Sequence, residues 1–234
     1  MVVTGAPLGL RVMPCSVRPS ERTLRACAAF GIALDRAVRT RAALPANGPR
    51  LARLVVRRLR RGGVALLTGP SGSGKSSLLR IARSALRAHG FAVVLAGPVV
   101  PRAHARAMMD VIGGTVEDAM HALGTAGLAD ATLWPRTPAE LSEGQRWRLG
   151  LALAARRARP GSCVIADEFC STLDRTTARC VAAAFRRWIA RTPGLCTLCA
   201  TAHADLGDAL APRLTIELGL DGRVRLHRGR RVTP

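Results

Sequence analysis

Four short apolar runs punctuate the chain: Val64 to Leu67, Phe91 to Ala96, Cys163 to Ala166, and Leu195 to Ala200. Each is continuous rather than alternating, the pattern of a strand covered on both faces. Between the runs, apolar positions recur at helical spacing. In Thr177 to Ala190, Val181, Phe185, Trp188 and Ile189 stand at offsets 0, 4, 7 and 8 and form one stripe that suits packing on a sheet. Leu51 to Arg61 has one apolar face, with Arg57, Arg58, Arg60 and Arg61 opposite it or at its C-terminal end, where cations suit the helix dipole. Ser77 to Ala88 is a further helical run. Ala103 to Ala158 is mostly helical in pattern, broken by Gly113-Gly114, Gly124, Gly127 and Trp134-Pro135. This alternation predicts an α/β fold with a mainly parallel sheet, helices on both faces and a short helical subdomain; a ligand then belongs at the C-terminal strand ends.

The beginning of the chain is harder to read. It suggests a strand pair around Leu10 to Val17, a helix over Thr23 to Arg39, and a turn at Pro45-Ala46-Asn47-Gly48-Pro49. The domain plan is therefore an N-terminal segment, 1–50, and a main domain, 51–234, with a helical insertion at about 103–158.

Composition adds a strong charge. The formal net charge is +21, carried by 35 arginines and one lysine, with 48% hydrophobic residues and 3% aromatics. Such a field attracts polyanions, nucleic acid among them, yet the skew towards Arg, Ala and Gly equally fits a codon bias, and both readings stay open. Few aromatics leave little material for base-stacking platforms. The seven cysteines are scattered and odd in number, which favours reduced thiols of a cytoplasmic protein over a secreted disulfide scaffold. Cys196 and Cys199 form a CxxC, but three apart on a strand they face opposite sides. No apolar stretch reaches the ~20 residues of a membrane span.

The strongest chemical signal is Gly69-Pro70-Ser71-Gly72-Ser73-Gly74-Lys75-Ser76, a full GxxxxGK[ST] match between a predicted strand and a predicted helix that opens at Ser77. Glycines there let successive N–H groups turn inward on phosphate oxygens, and the helix N-terminus adds partial positive charge. Lys75 reaches the β- and γ-phosphates, and the Ser76 hydroxyl ligates Mg²⁺. The chain's one lysine stands where a compact ammonium is needed rather than a planar fork. Downstream, the strand Cys163 to Ala166 ends in Asp167 and Glu168. Asp167 is placed to hold Mg²⁺, and Glu168 to orient and polarise an attacking water.

Leu141-Ser142-Glu143-Gly144-Gln145 reads as a capped helix start, with Ser142 opening a helix over Gln145 to Arg159. Here the chain resembles the ABC ATPase family, whose signature is LSGGQ; four of five positions match and Glu143 replaces a glycine. The resemblance implies that this segment closes over the γ-phosphate of ATP held by the opposite subunit, making an ATP-dependent head-to-tail dimer. Ser171-Thr172-Leu173-Asp174 is similar to the family's loop across the dimer interface. His203 stands in the place of its switch histidine near the γ-phosphate. The LSEGQ form and the stretch Asp167 to Cys170 further resemble orphan ABC ATPases that occur alone or fused to acetyltransferase-like domains.

Two features of the family are missing, the first of them proper to its transporter subunits. The family's coupling glutamine near the end of the second core strand has no counterpart, since Gln145 is the chain's single glutamine, and no adenine-stacking aromatic lies in Leu44 to Thr68. The expectation is a cytoplasmic ATPase using ATP and Mg²⁺, dimerising on ATP and acting on an unidentified protein partner. A transporter subunit and a nucleic-acid-associated ATPase are the competing readings. A regulatory binder without turnover is disfavoured by Glu168 and His203.

Overall fold

The computed structural model describes residues 11–14, 19–35, 47–60, 62–99 and 105–229. The chain divides into two compact units, Met1–Ala43 and Leu44–Pro234. In the first, β1 (Arg11–Pro14) pairs in parallel with β2 (Ile32–Asp35), and α1 (Glu21–Ala29) joins them. This corrects two expectations. Strand β1 has a distant partner instead of a local one, and the helix expected to Arg39 stops ten residues earlier. Gly31 adopts φ +64°, a left-handed conformation that ends a helix at little steric cost, and the apolar run after it goes extended. The rest of those expected spans, Leu10, Cys15 to Val17 and Arg36 to Arg39, lies outside the described residues, as do Pro45, Ala46, Arg61 and the first two residues of the insertion.

The second unit carries a six-stranded sheet of order β4-β5-β6-β3-β7-β8. Its strands are β3 (Gly63–Thr68), β4 (Val93–Ala96), β5 (Cys163–Ala166), β6 (Cys196–Thr201), β7 (Leu214–Leu218) and β8 (Val224–Arg228). All pairings are parallel except the β7–β8 hairpin. The first four of these strands are those read from the apolar runs. The hairpin was not anticipated.

Side-chain alternation splits the core. Ala65 and Leu67 of β3, Cys163 and Ile165 of β5, and Leu198 of β6 pack with α2 (Gly48–Leu59) and α3 (Lys75–Ala88) on one face. Val64, Leu66, Val164, Ala166 and Cys199 pack on the other face against α5 (Val116–Thr125), α6 (Glu143–Arg157) and α7 (Arg175–Arg191), with α4 (Met108–Ile112) and α8 (Leu206–Leu210) completing that side. Cys196 and Cys199 accordingly fall in different clusters. Burial pushes the Cys199 thiol up to about 12, so it stays protonated and inert. The stripe Val181, Phe185 and Ile189 of α7 is core, and each fully buried large side chain contributes roughly 1.5–3 kcal/mol by leaving water. Glycine serves close approach in α6, where a Cβ on Gly150 would run into the carbonyl of Gly97, just beyond β4.

Candidate nucleotide site

The loop Gly69 to Gly74 leaves β3 and turns directly into α3. Gly69, Gly72 and Gly74 have φ of +141°, +82° and +92°, conformations that side chains rarely adopt. A Cβ on Gly69 would collide with the Leu218 carbonyl of β7, so the loop is seated against the neighbouring strand. Gly74 occupies the N-cap of α3 without a capping side chain, which leaves the first-turn N–H groups free for an anion. Ser73 Oγ is buried with no partner among the described residues, an orphan that a phosphate oxygen would satisfy. Ser71 and Ser76 are exposed, whereas Ser77 is turned inward, its hydroxyl accepting from Arg80 at 3.4 Å.

Lys75 Nζ donates to the carbonyls of Gly69 and Pro70, each at 2.7 Å. The ammonium thus rests inside the loop, on backbone oxygens that hold the place of phosphate oxygens. Partial burial lowers its pKa from the ordinary value, while the charges of Asp167 and Glu168 oppose that shift. The phosphate loop and both carboxylates are therefore together at one end of the sheet. Asp167 is half-buried, and its Oδ1 accepts the Glu168 N–H at 3.0 Å. With the Ser76 hydroxyl it offers a hard-oxygen set of the kind Mg²⁺ takes when phosphates and water complete the shell. Glu168 is exposed, with φ +49°.

His203 follows β6, the strand between β3 and β5, so it emerges at the same sheet end; its N–H donates to Thr201 Oγ1 at 3.1 Å. Ser142 caps α6 in a reciprocal box: Gln145 N–H donates to Ser142 Oγ at 3.2 Å and Ser142 N–H to Gln145 Oε1 at 2.9 Å. Leu141 is buried, and Glu143 is exposed in the first turn. Gly144 lies against the next loop: a Cβ there would stand 2.7 Å from Leu173 Cδ2 and 3.2 Å from the Thr172 carbonyl. The signature segment thus touches Ser171 to Asp174, and no hydrogen bond or ion pair joins it to the phosphate loop among the described residues. Asp174 also caps α7, its Oδ1 accepting from Thr177 N–H at 2.9 Å.

Two residues near this site escaped the sequence reading. Phe169, next to Glu168, is fully buried and meets Trp147 of α6 edge-on, with ring centroids 5.3 Å apart and planes at 85°. The available signal was the placement of Trp147 two positions beyond Gln145, on the apolar side of the capped helix.

Residues 52–190, more than half of the chain, match the family model described as an AAA domain. The phosphonates import ATP-binding protein PhnC of Hyphomonas neptunium is 29% identical over 195 residues, spanning 66% of this chain and 72% of that protein. The dimeric ATP-binding cassette MJ0796 in a post-hydrolysis state bound to ADP and Pi superposes with TM-score 0.57 at 18% identity, covering 73% of this chain and 87% of its own. The ADP conformation of MJ1267, a cassette of an ABC transporter, gives 0.52 at 18%, covering 72% and 81%. The chain belongs to the AAA-domain family and has the fold of ABC cassettes. The family match runs from within α2 to the last turn of α7, taking in the phosphate loop, the signature segment and both carboxylates. No helix among the described residues is long and apolar enough to cross a membrane.

Proposed function

We propose that this ATPase binds MgATP through Gly69 to Ser77 and hydrolyses it with Glu168 at a site completed by Leu141 to Gln145 of a second copy. The observation that carries the reading is the convergence of Lys75, Asp167 and Glu168 at the C-terminal end of the parallel strands. Lys75 exchanges the Gly69 and Pro70 carbonyls for phosphate oxygens. Ser76 and Asp167 would hold Mg²⁺, which would supply positive charge against that growing on the phosphates. Glu168 orients and polarises the attacking water, and His203 contacts the γ-phosphate. Ser142, which caps α6, presents that helix start to the partner's ATP, and Ser171 and Asp174 lie along the same interface. The dimeric neighbours support a paired cassette.

The molecule works as an ATP-driven dimerising switch for a protein partner in the cytoplasm; the six described cysteines are free thiols, as a reducing compartment favours. Service as the nucleotide-binding subunit of a transporter is the second reading, and the PhnC relative, a phosphonates import ATP-binding protein, supports it. Against it, β4 ends in Ala96 and is followed by Gly97 and Pro98, where transporter cassettes carry glutamine.

The test is Glu168→Gln, which keeps size and removes charge. Turnover falls by about 10²- to 10⁴-fold, the usual scale for a lost general base, while ATP affinity survives. Unhydrolysed ATP then accumulates a dimer, seen by size-exclusion chromatography with light scattering. Parental turnover refutes the role of Glu168. A variant that stays monomeric at saturating MgATP refutes the composite site.

A further inference from the structure

The carboxylate turn is built on two costly backbone conformations. Glu168 and Cys170, neither of them glycine, stand at φ +49° and +57°. Such residues cost on the order of 1–3 kcal/mol each and persist only where their surroundings over-determine them. The residue between them supplies that determination. Phe169 N–H donates to the Ala200 carbonyl of β6 at 2.7 Å, and its ring, fully buried, lies between Trp147 of α6 at 5.3 Å and Phe185 of α7 at 5.6 Å. Ser171 N–H closes the turn on the Glu168 carbonyl at 3.0 Å.

Trp147 is an unusual choice for this place. It is 2% exposed, and its Nε1–H is buried with no partner among the described residues. A buried unmade hydrogen bond is a cost that a phenylalanine or leucine would avoid. The indole's gain is its edge-on contact with Phe169, the geometry aromatic quadrupoles prefer. Trp147 also sits on the helix that Ser142 caps, within one turn of Gly144 and Gln145.

We propose that Trp147 is a positioning residue that, through Phe169, sets where Glu168 stands, so that the hydrolytic carboxylate of each subunit is mechanically tied to its own signature helix. This rests on the hydrolytic reading above. Under that reading, α6 of one subunit touches the nucleotide held by the other, and the Trp147–Phe169 contact therefore joins the two ATP sites of the dimer. Seating of α6 on the partner's ATP moves Trp147 with the helix, and Glu168 follows through Phe169, its neighbour in the strained turn.

The experiment compares Trp147→Leu, which keeps an apolar side chain and removes the ring, with Trp147→Phe, which keeps a ring and drops the orphan N–H. Trp147→Leu lowers kcat by about tenfold or more, the scale expected from displacing a reacting group by a fraction of an ångström to one ångström, and leaves the affinity for a fluorescent ATP analogue within about twofold. Trp147→Phe restores most of kcat. Phe169→Met is the parallel variant should Trp147→Leu not fold, with the same split expected.

Mixed dimers then locate the effect. When a Trp147→Leu subunit pairs with a Glu168→Gln subunit, the one intact carboxylate lies beside the altered helix, and turnover is low. When both changes are in one subunit and its partner is parental, the parental site keeps its rate. The reverse ranking, an unchanged kcat in Trp147→Leu, equal loss in Trp147→Phe, or parallel loss of ATP affinity each overturns the proposal. Glu168→Gln homodimers run alongside separate the two failures: parental turnover there removes the hydrolytic reading itself, whereas an inactive Glu168→Gln with a fully active Trp147→Leu removes only the link.

Discussion

Replacing Lys75 by alanine probes the phosphate loop where it is most quantifiable. In the resting loop the ammonium is held by two carbonyls, Gly69 and Pro70, at 2.7 Å each. Facing the β- and γ-phosphates instead, it gains about 4 kcal/mol from each charge at ~4 Å and an effective dielectric of ~20, or about 8 kcal/mol together. Releasing the carbonyls offsets roughly 1.5–3 kcal/mol apiece, the net worth of a hydrogen bond to a charged group. About 2–5 kcal/mol remains, so Lys75→Ala weakens ATP binding by roughly 30- to 5,000-fold. Equilibrium titration with a fluorescent ATP analogue reads this directly. The pKa of Lys75 is lowered by burial in the free protein, and binding favours its protonated form. Affinity therefore declines as pH rises towards that lowered value, sooner than for a lysine at 10.5. A Lys75→Ala protein that binds within twofold of the parent would refute the assignment of the loop.

Other consequences are equally direct. Gly150→Ala drives a Cβ into the Gly97 carbonyl and destabilises by about 1–3 kcal/mol, whereas Gly124→Ala in α5, with open space around it, gains about 0.5–1 kcal/mol; urea unfolding of the pair checks both. The Asp174 carboxyl is held below its ordinary value by hydrogen bonds from Thr177, so its capping contribution is complete above the unfolded value and lost as pH falls through the lower folded one. The stability difference between the parent and Asp174→Ala is accordingly present at neutral pH and shrinks in acid. For the charge, the 13 arginines among residues 1–61 face only Glu21 and Asp35, and weak, sequence-independent nucleic-acid binding should fall steeply with log[salt]; absent or salt-flat binding removes that partner.

The legible parts of this molecule are those where local chemistry and tertiary role coincide. The phosphate loop is written in consecutive residues because its glycines, lysine and serine act through one backbone turn, and β3, β5 and β6 show because burial on both faces leaves uninterrupted apolar runs. Strand β7 was readable in principle: Leu214, Ile216 and Leu218 are buried and Thr215 and Glu217 are not, a period-two pattern followed by the turn pair Asp221-Gly222. Strand β2 was hidden by its length, four residues that continue a helical periodicity across Gly31. The Trp147–Phe169 contact could not be read, since its partners lie on α6 and beyond β5 and meet only when both pack on the same sheet face.

The sheet order has one more consequence. Strand β6 lies between β3 and β5, and by register Thr68 is level with Thr201 while Ala166 is level with Cys199, so β5 ends two residues short of the level at which the phosphate loop begins, and the carboxylate turn starts there. The strands that carry the loop and the carboxylates thus stand two interstrand spacings apart, about 9–10 Å, a gauge fixed by backbone hydrogen bonds, on which the Trp147–Phe169 contact sets only the final placement of Glu168. Side chains on β6 point up or down into the two cores and never across the gap. Substitutions there retune packing beneath the site and leave the strand spacing as it is, so a change on β6 reaches the nucleotide only through the rim that follows it, Ala202 and His203.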